Sequence, residues 1–192
     1  SSNDVGLGTR LLLAGGRISA PAFTDTIEYI TISTLGNADD FGNLTQSHGN
    51  GSSQGGCASR TRGIWLSGQL GTSPNYSNVI QFVTFATTGD ANEFGELSVR
   101  PAGFTGVQNG HEITGGCGSP TRGIFGGGAH GTPSTTAVNL IQFISIQSGG
   151  NSVKFGELNK LSYGVTASSN STRGLFYGGR TPSAHSTIDF IT

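Results

Sequence analysis

An internal repeat of about 50 residues limits the fold of this chain more than any other feature. Each repeat opens with a Thr-Arg pair, continues through an apolar run, and in three cases closes with Phe-Gly-x-Leu or a close variant. Repetition with a period of roughly 20–50 residues is typical of propellers, solenoids and other arrays. The chain is therefore predicted to be a single repeat domain, residues 1–192. Its units are about 1–47, 48–100, 101–161 and 162–192, the last incomplete.

Each unit divides into four segments that are typical of short β-strands. Strand A precedes the Thr-Arg pair, strand B begins at the Arg, strand C is the apolar run, and strand D surrounds Phe-Gly-x-Leu. In the second unit, Ile80 and Phe82 point to one face of strand C, and Val83 points to the other. Because both faces are apolar, we expect strand C to be covered on both sides.

The spacing within units separates constant connections from variable ones. From the strand C Ile to the strand D Phe there are 14 positions in each of three units: Ile27 to Phe41, Ile80 to Phe94 and Ile141 to Phe155. The B–C and D–A connections vary in length instead. In an up-and-down antiparallel sheet, alternate connections lie on the same side, so these variable loops share one side. Variable loops on a rigid scaffold are the usual carriers of recognition.

The segments GIFGGG, Ile-polar-aromatic-Ile/Val and FGxL resemble the kelch repeat. Phe41, Phe94 and Phe155 stand where kelch repeats usually have Trp. The sequence pattern TRGIFGGG…FGEL is also similar to repeats in virion and tail proteins of tailed bacteriophages. The resemblance implies an all-β fold, a β-propeller-type array of four-stranded antiparallel blades with three complete units and a partial fourth. It also implies a virion or extracellular location.

The fourth unit reaches Thr192 within strand C. The repeat thus predicts either a four-bladed ring without its last outer strand or part of a longer array. An unpaired edge strand can accept a strand from another chain. We therefore expect other virion or assembly subunits as partners, by strand addition at this unit. The first residue, Ser1, and the lack of Met indicate a processed product or a fragment.

Composition argues against several other classes of partner. Only 11% of residues are charged and the net charge is -1, whereas nucleic-acid binding requires clustered Lys and Arg. No segment approaches the roughly 20 apolar residues that span a bilayer. We predict no nucleic-acid partner and no membrane insertion.

One arginine recurs in every unit. A ring of guanidinium groups could bind an anion, but a residue repeated in each unit is more typical of scaffold, bonding turn carbonyls or the polar residue of strand C. We favour the structural interpretation for these arginines and for the repeated phenylalanines. The structural set is Arg10, Arg62, Arg122, Arg173, Phe41, Phe94 and Phe155.

No cofactor and no metal is predicted. The Gly runs lack the Lys-Ser/Thr of a phosphate loop. Asp and Asn in the C–D turns could hold Ca²⁺ but are also ordinary turn residues. The histidines lack zinc-ligand spacing, and Cys57 and Cys117 are expected to be free buried thiols.

The favoured function is a non-enzymatic structural and recognition module, which presents its variable loops to a host-surface glycan or protein. The alternatives are a carbohydrate-active enzyme on the same scaffold and a purely architectural repeat of a filament. Glycoside cleavage would need two converging carboxylates, for which only Asp25, Glu112 and Asp4 lie near the variable loops. The predicted contact residues are Phe23, Asn75, Tyr76, Phe104, His111 and His130.

Overall fold

The fold is all-β, as the sequence predicts, and none of the described residues is helical. The structure is a computed structural model that describes residues 9–19, 22–48, 55–66, 68, 70, 77–97, 115–130 and 136–192. The strands are β1 Arg10–Ser19, β2 Ala22–Thr31, β3 Asp39–Asn43, β4 Gly56–Ala58, β5 Arg62–Leu66, β6 Val79–Thr84, β7 Asn92–Glu96, β8 Gly115–Gly118, β9 Arg122–Gly126, β10 Ala129–His130, β11 Thr136–Ala137, β12 Leu140–Ser145, β13 Val153–Glu157, β14 Thr166–Ser169, β15 Gly174–Tyr177 and β16 Ile188–Ile191.

The strands form four antiparallel sheets, one for each repeat unit, and one short hairpin. Sheet 1 has the order β1-β2-β3, sheet 2 β4-β5-β6-β7, sheet 3 β8-β9-β12-β13 and sheet 4 β14-β15-β16. Sheets 2 and 3 therefore contain the predicted strands A to D in that order. In the first unit, the predicted strand A around Asp4–Leu7 lies outside the described residues.

Each sheet has two faces, which are named here by the sheets that pack on them. The forward face packs on the next sheet along the chain, and the rear face packs on the preceding one. In sheet 2, Ile64 and Ile80 lie on the forward face in one core with Phe125 of sheet 3. Trp65 and Val83 lie on its rear face in one core with Ile27 of sheet 1. Both faces of strand β6 are therefore covered, as predicted from its apolar pattern.

Three apolar cores join the four sheets in chain order. The first lies between sheets 1 and 2, the second between sheets 2 and 3, and the third between sheets 3 and 4. In the third, Ile141 on the forward face of sheet 3 packs with Phe176 on the rear face of sheet 4. Every described contact of this kind joins a forward face to a rear face.

The glycine of the Phe-Gly-x-Leu motif allows neighbouring sheets to approach closely. A Cβ atom on Gly95 would overlap the carbonyl oxygen of Gly150, in the C–D turn of the next sheet. The same turn bonds to strand D, since Gly150 N donates to Phe94 O at 2.8 Å and Ser152 N to Glu96 O at 2.9 Å. Only glycine leaves room for this backbone contact.

Two features differ from the pattern expected of the sequence. Strands β1 and β2 are ten residues long and stay paired as far as Ser19 and Ala22, so the B–C connection of the first unit is mostly strand. The third unit carries an additional hairpin of β10 and β11 in its B–C connection. The Gly and polar residues of these two B–C connections give no strand signal in the sequence. Pairing across a hairpin is decided by register rather than by composition.

Candidate functional site

The register of the strands brings the variable connections to one side of each sheet. In sheet 2, Leu66 at the end of strand B pairs with Ile80 at the start of strand C. Val79 pairs with Glu96 at the end of strand D, and Gly56 at the start of strand A pairs with Trp65. The B–C and D–A connections therefore leave from the same side, named here the variable-loop side. The A–B and C–D turns lie on the opposite, constant side.

In the third unit, paired glycines after strand B start the B–C connection on the variable-loop side. Gly127 and Gly128 have φ values of 72° and 114°, a region that glycine adopts without strain. Their N–H groups donate to Leu140 O at 3.0 Å and to Ser162 O at 2.8 Å. Because these donors bond to backbone carbonyls, the pair acts as a turn that fixes the loops and does not leave these N–H groups free for a phosphate.

A serine–histidine hydrogen bond joins two loops on the variable-loop side at the fourth unit. Ser162 Oγ and His185 Nε2 lie 2.8 Å apart, which ties the D–A connection to the B–C connection. The Arg180 guanidinium lies 4.8 Å from the ring centroid of Tyr163 in the same two loops. Ser162 is buried, so the pair is better placed to hold the loops than to attack a substrate. The repeat pattern gave no signal for this pair.

His48 lies in the D–A connection that follows the first unit, as Ser162 lies in the one that follows the third. It is buried, and its carbonyl oxygen accepts a hydrogen bond from Gly16 N at 3.0 Å. A Cβ atom on Gly15 would meet that same carbonyl. The D–A connection is thus packed against the paired glycines within β1, just as it is packed against the glycine turn after β9 in the third unit.

The six predicted contact residues are only partly described. Phe23 lies within strand β2, paired with Arg17, rather than in a loop as the sequence suggested. His130 lies in β10, paired with Thr136. Both positions belong to hairpins on the variable-loop side. The other four lie outside the described residues: Asn75, Tyr76, Phe104 and His111.

The repeated arginines lie on the constant side, and two of them reach across to the next sheet. Arg10 Nη1 donates to Phe85 O at 3.0 Å, and Arg62 Nη1 donates to Ile146 O at 2.7 Å. Both acceptors follow strand C of the next sheet. These bonds join neighbouring sheets through turn carbonyls, which is the kind of contact the structural interpretation expects.

Each repeated arginine also lies over an aromatic ring of strand C in its own sheet. The distances from guanidinium carbon to ring centroid are 4.6 Å for Arg10 and Tyr29, and 4.8 Å for Arg62 and Phe82. They are 5.1 Å in sheets 3 and 4, for Arg122 over Phe143 and Arg173 over Phe190. In sheets 1 to 3, the same ring meets the strand D phenylalanine edge to face: Tyr29–Phe41, Phe82–Phe94 and Phe143–Phe155.

The oxygen-rich C–D turns are used for bonds between sheets. Asp90 Oδ1 accepts from Asn43 N at 2.9 Å, and Asn151 Oδ1 accepts from Glu96 N at 3.0 Å. Within the described ranges, no group of three or more His, Cys, Asp or Glu side chains is arranged to hold a metal ion. The turn carboxylates and amides thus serve as acceptors for strand D of the preceding sheet.

The candidate acids of the enzyme alternative are not brought together by the described residues. Asp25 lies in strand β2, whereas Asp4 and Glu112 lie outside the described part of the chain. The one ion pair among described residues joins Lys154 and Glu157 at 2.7 Å, and the lysine lowers the pKa of that exposed carboxyl group.

Both cysteines are free and buried. Burial raises the pKa of the Cys117 thiol to about 11, with a smaller opposing effect from its hydrogen bond with Ser169. Burial, and then the neighbouring Cys117, raise the pKa of Cys57 further still. Both groups are therefore neutral thiols near pH 7 and act as small packing residues.

No protein-family model and no curated protein matched the chain. In the described part of the chain, nothing helical is long and apolar enough to span a bilayer.

Proposed function

We propose that this chain is a non-enzymatic structural and recognition module of a virion or other extracellular assembly. Its variable-loop side binds a host-surface glycan or protein, and its sheets serve as the scaffold. Other subunits of the assembly add to it, one route being strand addition at the open edge of β16, the outermost strand of sheet 4.

We further propose that the sheets are blades of a β-propeller. Four-stranded antiparallel sheets packed face to face in chain order are the building pattern of propellers. The strand A positions of neighbouring units also meet, as when the Ser169 hydroxyl of sheet 4 donates to Gly118 O of sheet 3 at 2.6 Å. In a propeller, such contacts between innermost strands line the central axis.

The recognition role is supported by a difference between the two sides of each sheet. On the constant side, repeated side chains such as Arg62 and Asn151 bond to neighbouring sheets. On the variable-loop side, the connections differ in length and sequence from unit to unit. A scaffold needs the first property alone, whereas a recognition surface needs the second.

Binding of the purified, labelled chain to an array of bacterial-surface polysaccharides and animal glycans tests this proposal. We expect a restricted set of glycans to bind and to remain intact after incubation, as read by mass spectrometry. The double variant Asn75→Ala/Tyr76→Ala, in the B–C connection, should weaken binding at least about tenfold, since tyrosine is among the residues that carry most of the energy of a binding surface.

The matched control is Thr87→Ala/Thr88→Ala, two exposed residues in the C–D turn of the same unit, on the constant side. It should bind like the unmodified chain. The recognition role is wrong if neither the array nor intact host-type cells retain the protein, or if the control loses binding as strongly as the loop variant. Cleavage of a bound glycan would favour the enzyme alternative instead.

A further inference from the structure

The forward face of sheet 4 is apolar and exposed. Ile188 is 66% exposed, although its counterparts on the other forward faces, Ile27, Ile80 and Ile141, are at most 2% exposed. Phe190 on the same face is 63% exposed. This face has the side chains of an internal contact surface but lacks the rear face that covers each of the others.

The rear face of sheet 1 has the reciprocal property. Leu13 is 55% exposed, whereas its counterparts Phe125 and Phe176 are 1% exposed and Trp65 is half-buried. Ile32, just after strand C, is 63% exposed, and its counterpart Ile146 is fully buried. Among the described sheets, one forward face and one rear face are therefore uncovered.

We infer that a second copy of this chain covers these faces, with the forward face of sheet 4 in one copy packed on the rear face of sheet 1 in the next. The three cores within the chain join a forward face to a rear face, so the new contact would continue an interface that the molecule already uses three times. This inference rests on the assembly role proposed above and names the partner as a second copy.

The polar contacts of the internal interfaces also have counterparts at the new one. Arg10 and Arg62 donate to the carbonyl oxygens of Phe85 and Ile146, each of which follows strand C of the next sheet. The corresponding donor in sheet 4 is the exposed Arg173, and the corresponding carbonyl in sheet 1 belongs to Ile32. Head-to-tail packing would bring this donor and this acceptor together across the two copies.

The new interface would differ from the internal ones at one position. Gly123 and Gly174 lie against the sulfur atoms of Cys57 and Cys117 in the preceding sheets. In sheet 1, Leu11 occupies that position, and it is exposed. In sheet 4, Ser168 holds the place of the cysteine. Because a Cβ at Gly123 would already overlap the sulfur of Cys57, the two copies would have to pack further apart at strand A than neighbouring sheets do, with the leucine side chain filling that space as apolar contact.

Since the two faces differ, the contact is heterologous. Each copy offers one face of each kind, so copies add head to tail and close into a ring where the rotation allows. Two copies would contribute eight sheets, within the range of about four to eight blades that propellers have. Open addition would give a filament built on the same contact.

Light scattering on the purified protein tests the inference. The expected mass is at least twice the 19.6 kDa of one chain. Two single variants, Leu13→Glu and Ile188→Lys, should each weaken association about thirtyfold or more, because a buried charge would face an apolar surface. Both side chains are more than half exposed in one copy, so each variant should keep the circular dichroism and thermal unfolding of the single chain.

Mixing the two variants gives the decisive readout. In the mixture, the forward face of the Leu13→Glu copy and the rear face of the Ile188→Lys copy are both unmodified, so association should return. A monomer at high concentration overturns the inference, as does association lost in only one variant, which would mean that like faces pair. Association kept in both variants also overturns it and indicates strand addition at β16. Loss of glycan binding with association intact would leave this inference standing and remove the recognition role.

Discussion

The guanidinium group of Arg62 donates a hydrogen bond of 2.7 Å to the carbonyl oxygen of Ile146, 84 positions further along the chain. The same guanidinium lies over the ring of Phe82 in its own sheet. One side chain therefore fixes the position of its own strand C ring and the distance to the next sheet. Arg10 makes both contacts in the preceding unit, so the same pair of contacts occurs in two of the four units.

Replacing Arg62 with Met should destabilise the chain by about 2 kcal/mol, because a charge-assisted bond to a partly buried carbonyl and a cation–π contact are both lost. Urea denaturation followed by intrinsic fluorescence measures the change. The matched control is Arg173→Met at a concentration where the chain is monomeric. Arg173 is exposed and lies over Phe190, so its loss should cost less than about 1 kcal/mol. Equal costs for the two variants would contradict the role of the bond to Ile146.

The glycines of the Phe-Gly-x-Leu motif allow a direct comparison, because an added side chain would meet neighbouring atoms at Gly95 but not at Gly156. Gly95→Ala places a methyl group against the backbone of Gly150 and should cost about 3 kcal/mol, since backbone cannot move aside as a side chain can. Gly156→Ala is the control, because a Cβ there meets nothing within 4 Å. It should be neutral within about 0.5 kcal/mol. If both alanines are tolerated, the close approach of the sheets is not required.

The repeat allowed the strands, their order and the two sides to be predicted, because each relies on local pattern. The constant 14-residue spacing from Ile80 to Phe94 predicted a C–D turn of constant length, and the structure pairs these two strands with a register shift at Ile80/Gln81. The free Cys57 and Cys117 also lie in buried strand A positions, consistent with small residues at one repeated position.

Other features depend on contacts between units, which a pattern within one unit does not encode. The Gly95 requirement comes from the turn of the next sheet, and the bond of Ser162 to His185 joins two loops without a repeat. Ile188 is exposed because no described sheet packs on its face of sheet 4, although the residue matches the buried Ile80 in sequence. Sequence identity between repeats thus predicts which face a residue occupies but not what covers that face.

Gln81 provides a test of the polar residue in strand C. Its Oε1 atom accepts hydrogen bonds from both the N–H and the hydroxyl of Thr45, each at 2.6 Å, and the side chain is fully buried. Gln81→Leu would leave these two donors without that acceptor, so we expect a loss of about 2 kcal/mol in the free energy of unfolding. The control is Glu28→Leu, the counterpart in sheet 1, at a concentration where the chain is monomeric. Glu28 is exposed in one copy, so the change should alter stability by less than about 0.5 kcal/mol. A loss in Glu28→Leu as large as that in Gln81→Leu would refute the assignment.

The buried thiols predict a loss of stability at alkaline pH. In the unfolded chain a cysteine ionises near pH 8.5, whereas in the folded chain the pKa of Cys117 is raised to about 11 and that of Cys57 is raised as well. Between these values the unfolded state releases a proton that the folded state keeps. Stability is therefore fully present below about pH 8.5 and falls as pH rises toward 11, by about 1.4 kcal/mol per pH unit for each thiol.

Urea denaturation at a series of pH values, compared with the variant Cys57→Ala/Cys117→Ala, isolates this effect, because the two proteins differ only in the thiols. The difference in unfolding free energy should shrink from pH 8 to pH 11 as the thiols lose their advantage. A thiol-reactive disulfide reagent provides an independent check: at pH 8 it should modify both cysteines rapidly in urea and slowly in the native chain, since neutral buried thiols are poor nucleophiles. A difference that stays constant with pH, together with rapid native labelling, would mean that strand A opens readily and that the centre of the sheet stack is not closed to solvent.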